Sequence, residues 1–194
     1  MPSLLKNYLR FILPVIVIMI FAAGFFIFHG PVADAATLIS GDRFKGSGTT
    51  VYFYASDGKR YIFSTEAVYF SWYSDYSGIK TINDSEIADV PLGGNIVAEP
   101  GTYLVQFVNM EVPFRVIDPK VYAVDANLGL RHVASSSVAQ SIYGTDWESD
   151  IIPVPEVFFI DYVGGFGSEL SSSGDYDLSG TLTSMASPDN AAVH

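Results

Sequence analysis

Any chemistry in this chain has to come from carboxylates and aromatic rings. Its 194 residues include no cysteine, which removes disulfides, thiolate metal sites, iron–sulfur clusters and thiol catalysis together. Beyond the apolar N-terminal stretch only His132 and His194 are imidazoles, and His194 is the last residue. His132 falls in a predicted strand between Arg131 and Val133, and no GxSxG, HExxH, P-loop or GxGxxG pattern occurs anywhere. A Ser-His-Asp triad would need that one ring, and no catalytic residue is assigned. Paired acids are the better candidates. Asp146, Glu148 and Asp150 share a loop with Trp147, and Asp75 lies in the matching earlier loop near Trp72, Tyr73 and Tyr76. Two carboxylates at a suitable separation are all a glycosidase needs, and an acid beside a flat ring suits a sugar. Trp72, Tyr73, Asp75, Tyr76, Asp146, Trp147 and Glu148 are therefore the candidate ligand contacts. The plainer use of the same groups is as solvated loop acids around aromatics that seal a core.

Two further charge patterns carry less. Asp175-Tyr-Asp177-Leu-Ser179-Gly180 matches the first half of a calcium loop, but the twelfth position, which should supply a bidentate Glu, is Ala186. No metal or cofactor is assigned. Lys59, Arg60 and Arg131 fall at comparable points of two predicted hairpins and are expected to form surface ion pairs. With 10 bases against 21 acids the chain carries a net charge of -11. That balance argues against nucleic acid, whose phosphates are held by Lys and Arg.

The opening of the chain has the form of a targeting segment. Lys6 and Arg10 precede an uncharged run from Phe11 to Phe28, and Val32-Ala-Asp-Ala35 fits the small-residue pattern read by signal peptidase. The run is at the boundary between a signal-peptide core and a spanning helix. Residues 1–35 are therefore a signal peptide, the reading Pro14 and Gly24 favour, or an uncleaved membrane anchor. The charge step places everything after it outside the cytoplasm on either reading.

The body repeats itself. A constant shift of 70 pairs Val51 with Val121, Tyr52 with Tyr122, Val68 with Val138, Ser71 with Ser141, Tyr73 with Tyr143, Ile82 with Ile152, Glu86 with Glu156 and Gly94 with Gly164. The order of elements repeats too, so 51–94 and 121–164 are read as duplicated units. In the first, Thr50–Ala55 is a strand, and Asp57-Gly58 marks a type I′ hairpin turn to a return strand over Arg60–Phe63. Ser64 or Thr65 caps a helix over Glu66–Tyr73, with Val68, Trp72 and Tyr69 as its buried stripe. Asn83 or Asp84 caps a turn of helix over Ser85–Asp89, and Gly93-Gly94 breaks the chain. In the second, Val121–Val124 and Leu130–Val133 flank the Asn127-Leu128-Gly129 turn, Ser135 caps a helix over Ser137–Tyr143, and Val157–Tyr162 is a strand or helix end. Leu38–Lys45, Tyr103–Val108 and Val112–Ile117 supply further strands. Residues 167–194 are rich in serine and poor in large apolar side chains, which predicts a flexible tail. The fold class is α+β: mostly antiparallel strands with short helices, two pseudo-equivalent units, and one domain over 36–166.

The runs VYFYASDGKRYIF, YFSWYSDYSGIKTI and DSEIADVPLGGNI, with the later PGTYLV, KVYAVD and LRHV, resemble a duplicated repeat domain of predicted secreted and surface proteins from small-genome candidate-phyla bacteria. The resemblance spans about residues 40–163 and implies an extracytoplasmic module without an assigned activity. The chain departs from it at Ala134-Ser135-Ser136 and across Asn109–Ile117. The resulting expectation is an exported, non-enzymatic cell-surface or secreted module. It binds an envelope protein or cell-wall glycan or serves as an envelope component, touching membrane only through residues 1–35 if these are retained. An envelope glycan hydrolase using loop carboxylates is the alternative.

Overall fold

The computed structural model describes residues 37–109 and 115–193. The expected targeting segment, residues 1–35, lies outside the described residues, and none of the described helices is long and apolar enough to cross a membrane. The first repeat runs β1 (Arg43–Lys45), β2 (Tyr52–Tyr54), β3 (Arg60–Phe63), α1 (Glu66–Trp72), β4 (Lys80–Thr81), α2 (Asp84–Asp89) and β5 (Leu92–Ile96). The second runs β6 (Leu104–Asn109), β7 (Arg115–Val116), β8 (Tyr122–Val124), β9 (Leu130–His132), α3 (Ser136–Tyr143) and β10 (Ile151–Pro155), then a 3-10 turn over Glu156–Asp161. α4 (Leu178–Ser184) and β11 (Ala192–Val193) complete the chain.

Local chemistry fixes these elements. Thr65 Oγ1 accepts from Val68 N (3.1 Å) and Ser135 Oγ from Val138 N (3.3 Å), so the same cap starts α1 and α3. Glu86 reaches back to Asn83 N (2.8 Å) at the start of α2. The first hairpin is wider than the two-residue turn its Asp-Gly predicts. Gly58 N donates to Ala55 O (3.1 Å), and only Gly58, at φ +78°, is left-handed. In the second hairpin Leu128 N donates to Asp125 O (2.9 Å), and Leu128 takes the left-handed position at φ +59°. Gly93-Gly94 does not break the chain but lies inside β5. The ring of Tyr61 occupies the space a side chain at Gly93 would need, 2.3 Å from its Cβ position.

The duplication extends to the ladders. The first sheet is ordered β11-β5-β3-β2-β1-β4, with β3–β5 and β1–β4 parallel and the others antiparallel. The second is ordered β10-β6-β8-β9, with β6–β10 parallel and β6–β8 and β8–β9 antiparallel; β7 also pairs with β6. A parallel bridge from Leu130 to Phe166 stands where β3 meets β5. Tyr122 faces Val105 as Tyr52 faces Phe44.

The repeats pack head to tail. The helix-bearing face of the first sheet, with Phe53, Phe63, Val68 and Tyr69, is buried against Val105, Tyr122, Val124, Leu130 and Ile152 of the second. Those second-sheet residues lie on the face opposite α3. The counterpart face of the first sheet, with Phe44 and Ile82, is closed by Ile87 of α2. The helix-bearing face of the second sheet, with Ala123, Val133, Val138 and Ala139, is closed by Leu170 and Tyr176.

Residues 167–193 are thus a cap, not the flexible tail the composition predicts. Four of its large side chains, Leu170, Tyr176, Met185 and Val193, are buried, and Leu178 packs half-buried beside them. A fully buried Leu alone contributes about 1.5–3 kcal/mol. The polar residues are spent on local order. Asp175 Oδ2 accepts from Ser171 N and Ser172 N (2.9 and 2.8 Å), and Asp177 Oδ1 from Gly180 N (2.9 Å) at the start of α4. β11 then pairs with β5 of the first repeat, Ala192 opposite Ile96. The half-matched calcium loop is accounted for by these caps, and no group of three metal-binding side chains occurs among the described residues.

Candidate functional site

The first repeat carries an open cleft of about 780 Å³, a volume in the range of small-molecule sites. Its floor and walls come from Lys45 at the end of β1, Thr49 and Thr50 before β2, Ser64 before α1, Glu66 and Tyr69 on α1, and Tyr76 and Ile79 before β4. Strand and helix ends place these groups, and Thr65 holds the first turn of α1 on which Glu66 sits.

Tyr76 is the most exposed ring of the cleft at 47%, yet it is firmly held. It stacks on Tyr69 with centroids 4.8 Å apart, and its hydroxyl donates to Glu66 Oε1 (2.5 Å). That hydrogen bond to a carboxylate pushes the phenol up to about 12, so Tyr76 stays a donor at neutral pH. Beneath it the loop is tied down by Arg43. Its guanidinium lies 3.9 Å from the Tyr73 ring centroid, and it donates to Tyr69 Oη (2.5 Å) and Ser77 O (2.6 Å). Burial pushes the Tyr73 hydroxyl up, and Arg43 opposes it. Tyr69 Oη in turn donates to Asp75 O (2.7 Å).

The predicted contact residues separate into different surroundings. Tyr76 lines the cleft. Asp75 shapes its loop: the Ser77 hydroxyl and backbone N–H (2.7 Å to Oδ1) hold its carboxyl below the usual range. Tyr73 packs against the core between the sheets. Trp72 packs there too, its Nε1 donating to Val97 O (2.9 Å). Trp147 packs instead on the core beneath α3. Both tryptophans are half-buried against cores, Trp72 as the buried stripe of its helix predicts, rather than standing free in their loops. Asp146 and Glu148 are exposed at the start of a 3-10 turn over Trp147–Asp150, where Asp146 O accepts from Ser149. The two acidic aromatic loops therefore serve different cores. Glu66, Tyr69, Lys45 and the Thr49-Thr50 hydroxyls are site residues the motif search passes over. Glu66 reads as an ordinary first-turn acid, and Tyr69 as core.

The basic residues and His132 also find defined partners. Lys59 pairs with Asp57 (3.2 Å). Arg60 and Arg131, expected in surface ion pairs, instead donate to backbone carbonyls: Arg60 to Ile87 and Val90 at the end of α2, Arg131 to Ser168 and Asp175 of the cap. His132 Nδ1 meets Glu169 Oε2 at 2.8 Å, half-buried on β9.

Chemically the cleft offers an aromatic surface, several hydroxyls, one ammonium and one carboxylate. Glu66 is its single acid among the described residues, so it holds no carboxylate pair for acid–base hydrolysis. Comparison with known proteins finds no matching family, no matching curated protein and no matching solved structure.

Proposed function

We propose that this chain is an exported, non-enzymatic module of the cell envelope that holds a ligand in the cleft of its first repeat. The observation that carries the reading is the composition of that cleft. An exposed, immobilised tyrosine stands over unspent hydroxyls, and one carboxylate is already engaged by a phenol. Such a surface can grip a partner, whereas glycoside hydrolysis by a carboxylate pair needs a free acid and a second carboxylate beside it. Export is supported by the charge step and uncharged run of residues 1–35. The test is to express the full chain, fractionate the cells, and incubate the exported product with purified envelope material. Co-sedimentation without release of shortened glycan is the expected result. Soluble fragments appearing with time, or full-length product confined to the cytosol, would overturn it.

A further inference from the structure

We infer that the first-repeat cleft is a site for a neutral oligosaccharide and that the second repeat carries no counterpart. The inference rests on the binding reading above and gives it a ligand class. Internal duplication supplies the argument. At equivalent positions Glu66 faces Ser136, Tyr69 faces Ala139, Phe70 faces Gln140 and Tyr76 faces Asp146. The second repeat makes the same ladders and the same capped helix without any of these rings or the acid. The ladders and the capped helix therefore form without them. Packing positions behave differently: Val68 and Val138, Ser71 and Ser141, and Tyr73 and Tyr143 are identical across the repeats.

Two of the residues that differ expose more aromatic surface than packing uses. Phe70 and Tyr76 stand 38% and 47% exposed, and aromatic surface left in water contributes nothing to folding. Their arrangement suits a sugar ring. The exposed part of Tyr76 offers a flat apolar surface for the C–H face of a pyranose. The hydroxyls of Thr49, Thr50 and Ser64, which make no hydrogen bond to any described residue, can meet its equatorial hydroxyls. Lys45 and Glu66 balance in charge, so a polyanion would find a single ammonium and a repelling carboxylate. The Tyr69 stack, the Glu66 bond and the Arg43 clamp fix Tyr76 before any ligand arrives, so little ordering cost remains on binding.

The test is calorimetric titration of the exported product with N-acetylglucosamine oligomers, cello-oligosaccharides and oligogalacturonate. At least one neutral series should bind and the oligogalacturonate should not. Y76A should weaken binding at least tenfold while circular dichroism shows the same folded state, with the midpoint lowered only by the lost Tyr69 stack and Glu66 bond, and Y76F, which keeps the ring, should weaken it only a few-fold. Q140A, at the Phe70 position of the second repeat, should bind as wild type. Binding that survives Y76A, or that favours the anionic series, overturns the assignment. If no sugar binds while the product still co-sediments with envelope material, the ligand class is wrong and the binding reading stands. Co-sedimentation lost on protease treatment of that material would identify a protein partner and equally overturn the inference. Failure of both sugar binding and co-sedimentation removes the two readings together.

Discussion

Leu128 and Gly58 occupy the same turn position of the two repeats, both left-handed at φ +59° and +78°, and exchanging their chemistry should have unequal consequences. A side chain with a Cβ costs about 1–2 kcal/mol in this conformation. At Gly58 an added Cβ meets only Tyr54 Oη at 3.8 Å, so Gly58→Ala has room and loses about 1 kcal/mol to backbone strain alone. Leu128 is 7% exposed and belongs to the core between the sheets. Leu128→Gly relieves the strain but empties a core position, worth about 2–5 kcal/mol, and adds backbone entropy of about 0.5–1 kcal/mol to the unfolded state. The net loss is about 2–3 kcal/mol, or roughly 5–10 °C in thermal midpoint for a body of this size. Urea and thermal unfolding followed by circular dichroism measure both variants against wild type. A Leu128→Gly protein as stable as wild type would show that the leucine is not held in its strained turn by core burial, and the account of the second hairpin would fail.

Trp72→Ala and Trp147→Ala should each lower the unfolding free energy by about 2–4 kcal/mol, since both rings are partly buried against cores; stabilities matching wild type would return them to the surface. Deleting residues 188–194 removes Ala191 and Val193 from the core and uncovers the edge of β5. The shortened chain should lose about 2–3 kcal/mol and associate with concentration in light scattering, whereas a flexible tail would be dispensable. Burial pushes the Asp161 carboxyl above its ordinary value of 3.8, against the hydrogen bond from Asn95 (2.9 Å). The penalty on the folded state is therefore absent below the unfolded value, grows between the two, and is complete once pH has risen past the folded value. D161N should be at least as stable as wild type at pH 7, with any gain shrinking toward pH 3; a gain that grows on acidification refutes the sign.

Much of the scaffold is legible in the residues because it rests on short-range chemistry. Thr65, Asn83 and Ser135 announce their helices by the bonds their side chains make to the next turn, and Arg60–Phe63 alternates as its one buried face requires. The failures have long-range causes. Residues 167–193 have the composition of a linker, but Leu170 and Tyr176 are spaced to reach a face that only the folded second sheet presents. The glycine pair in β5 tolerates a strand because Tyr61 fills the missing side-chain volume from the neighbouring strand. Trp147 lies in an acidic loop in sequence and against the core beneath α3 in space. Tyr76 is legible as an exposed ring from its loop, but Glu66 and Tyr69 come from α1, and only the folding of the 74–79 loop back over that helix joins them.

Head-to-tail packing explains why the chain needs its last segment and why the cleft can be unique. In a two-fold arrangement both repeats would bury the same face and leave equivalent outer surfaces. Here each repeat has one face that receives a neighbour and one that inserts, so the stack ends in two unlike faces, and each needs its own cover. On the first repeat that cover is α2 with Ile87, part of the repeat itself. The second repeat spends its own equivalent turn, through Phe158 and Tyr162, on the inter-sheet core, so its helix-bearing face must be closed by something outside the repeat. The serine-rich segment does this and then returns to the first sheet through β11. The cap's own ties, Arg131 to Ser168 and Asp175 and His132 to Glu169, draw on side chains of β9. The corresponding end of β3 has Tyr61 and Ile62 instead, and Ile62 lines the cleft. The same strand end is thus committed to a cap in one repeat and left to frame a cavity in the other, which is the physical reason the proposed ligand site would belong to the first copy alone.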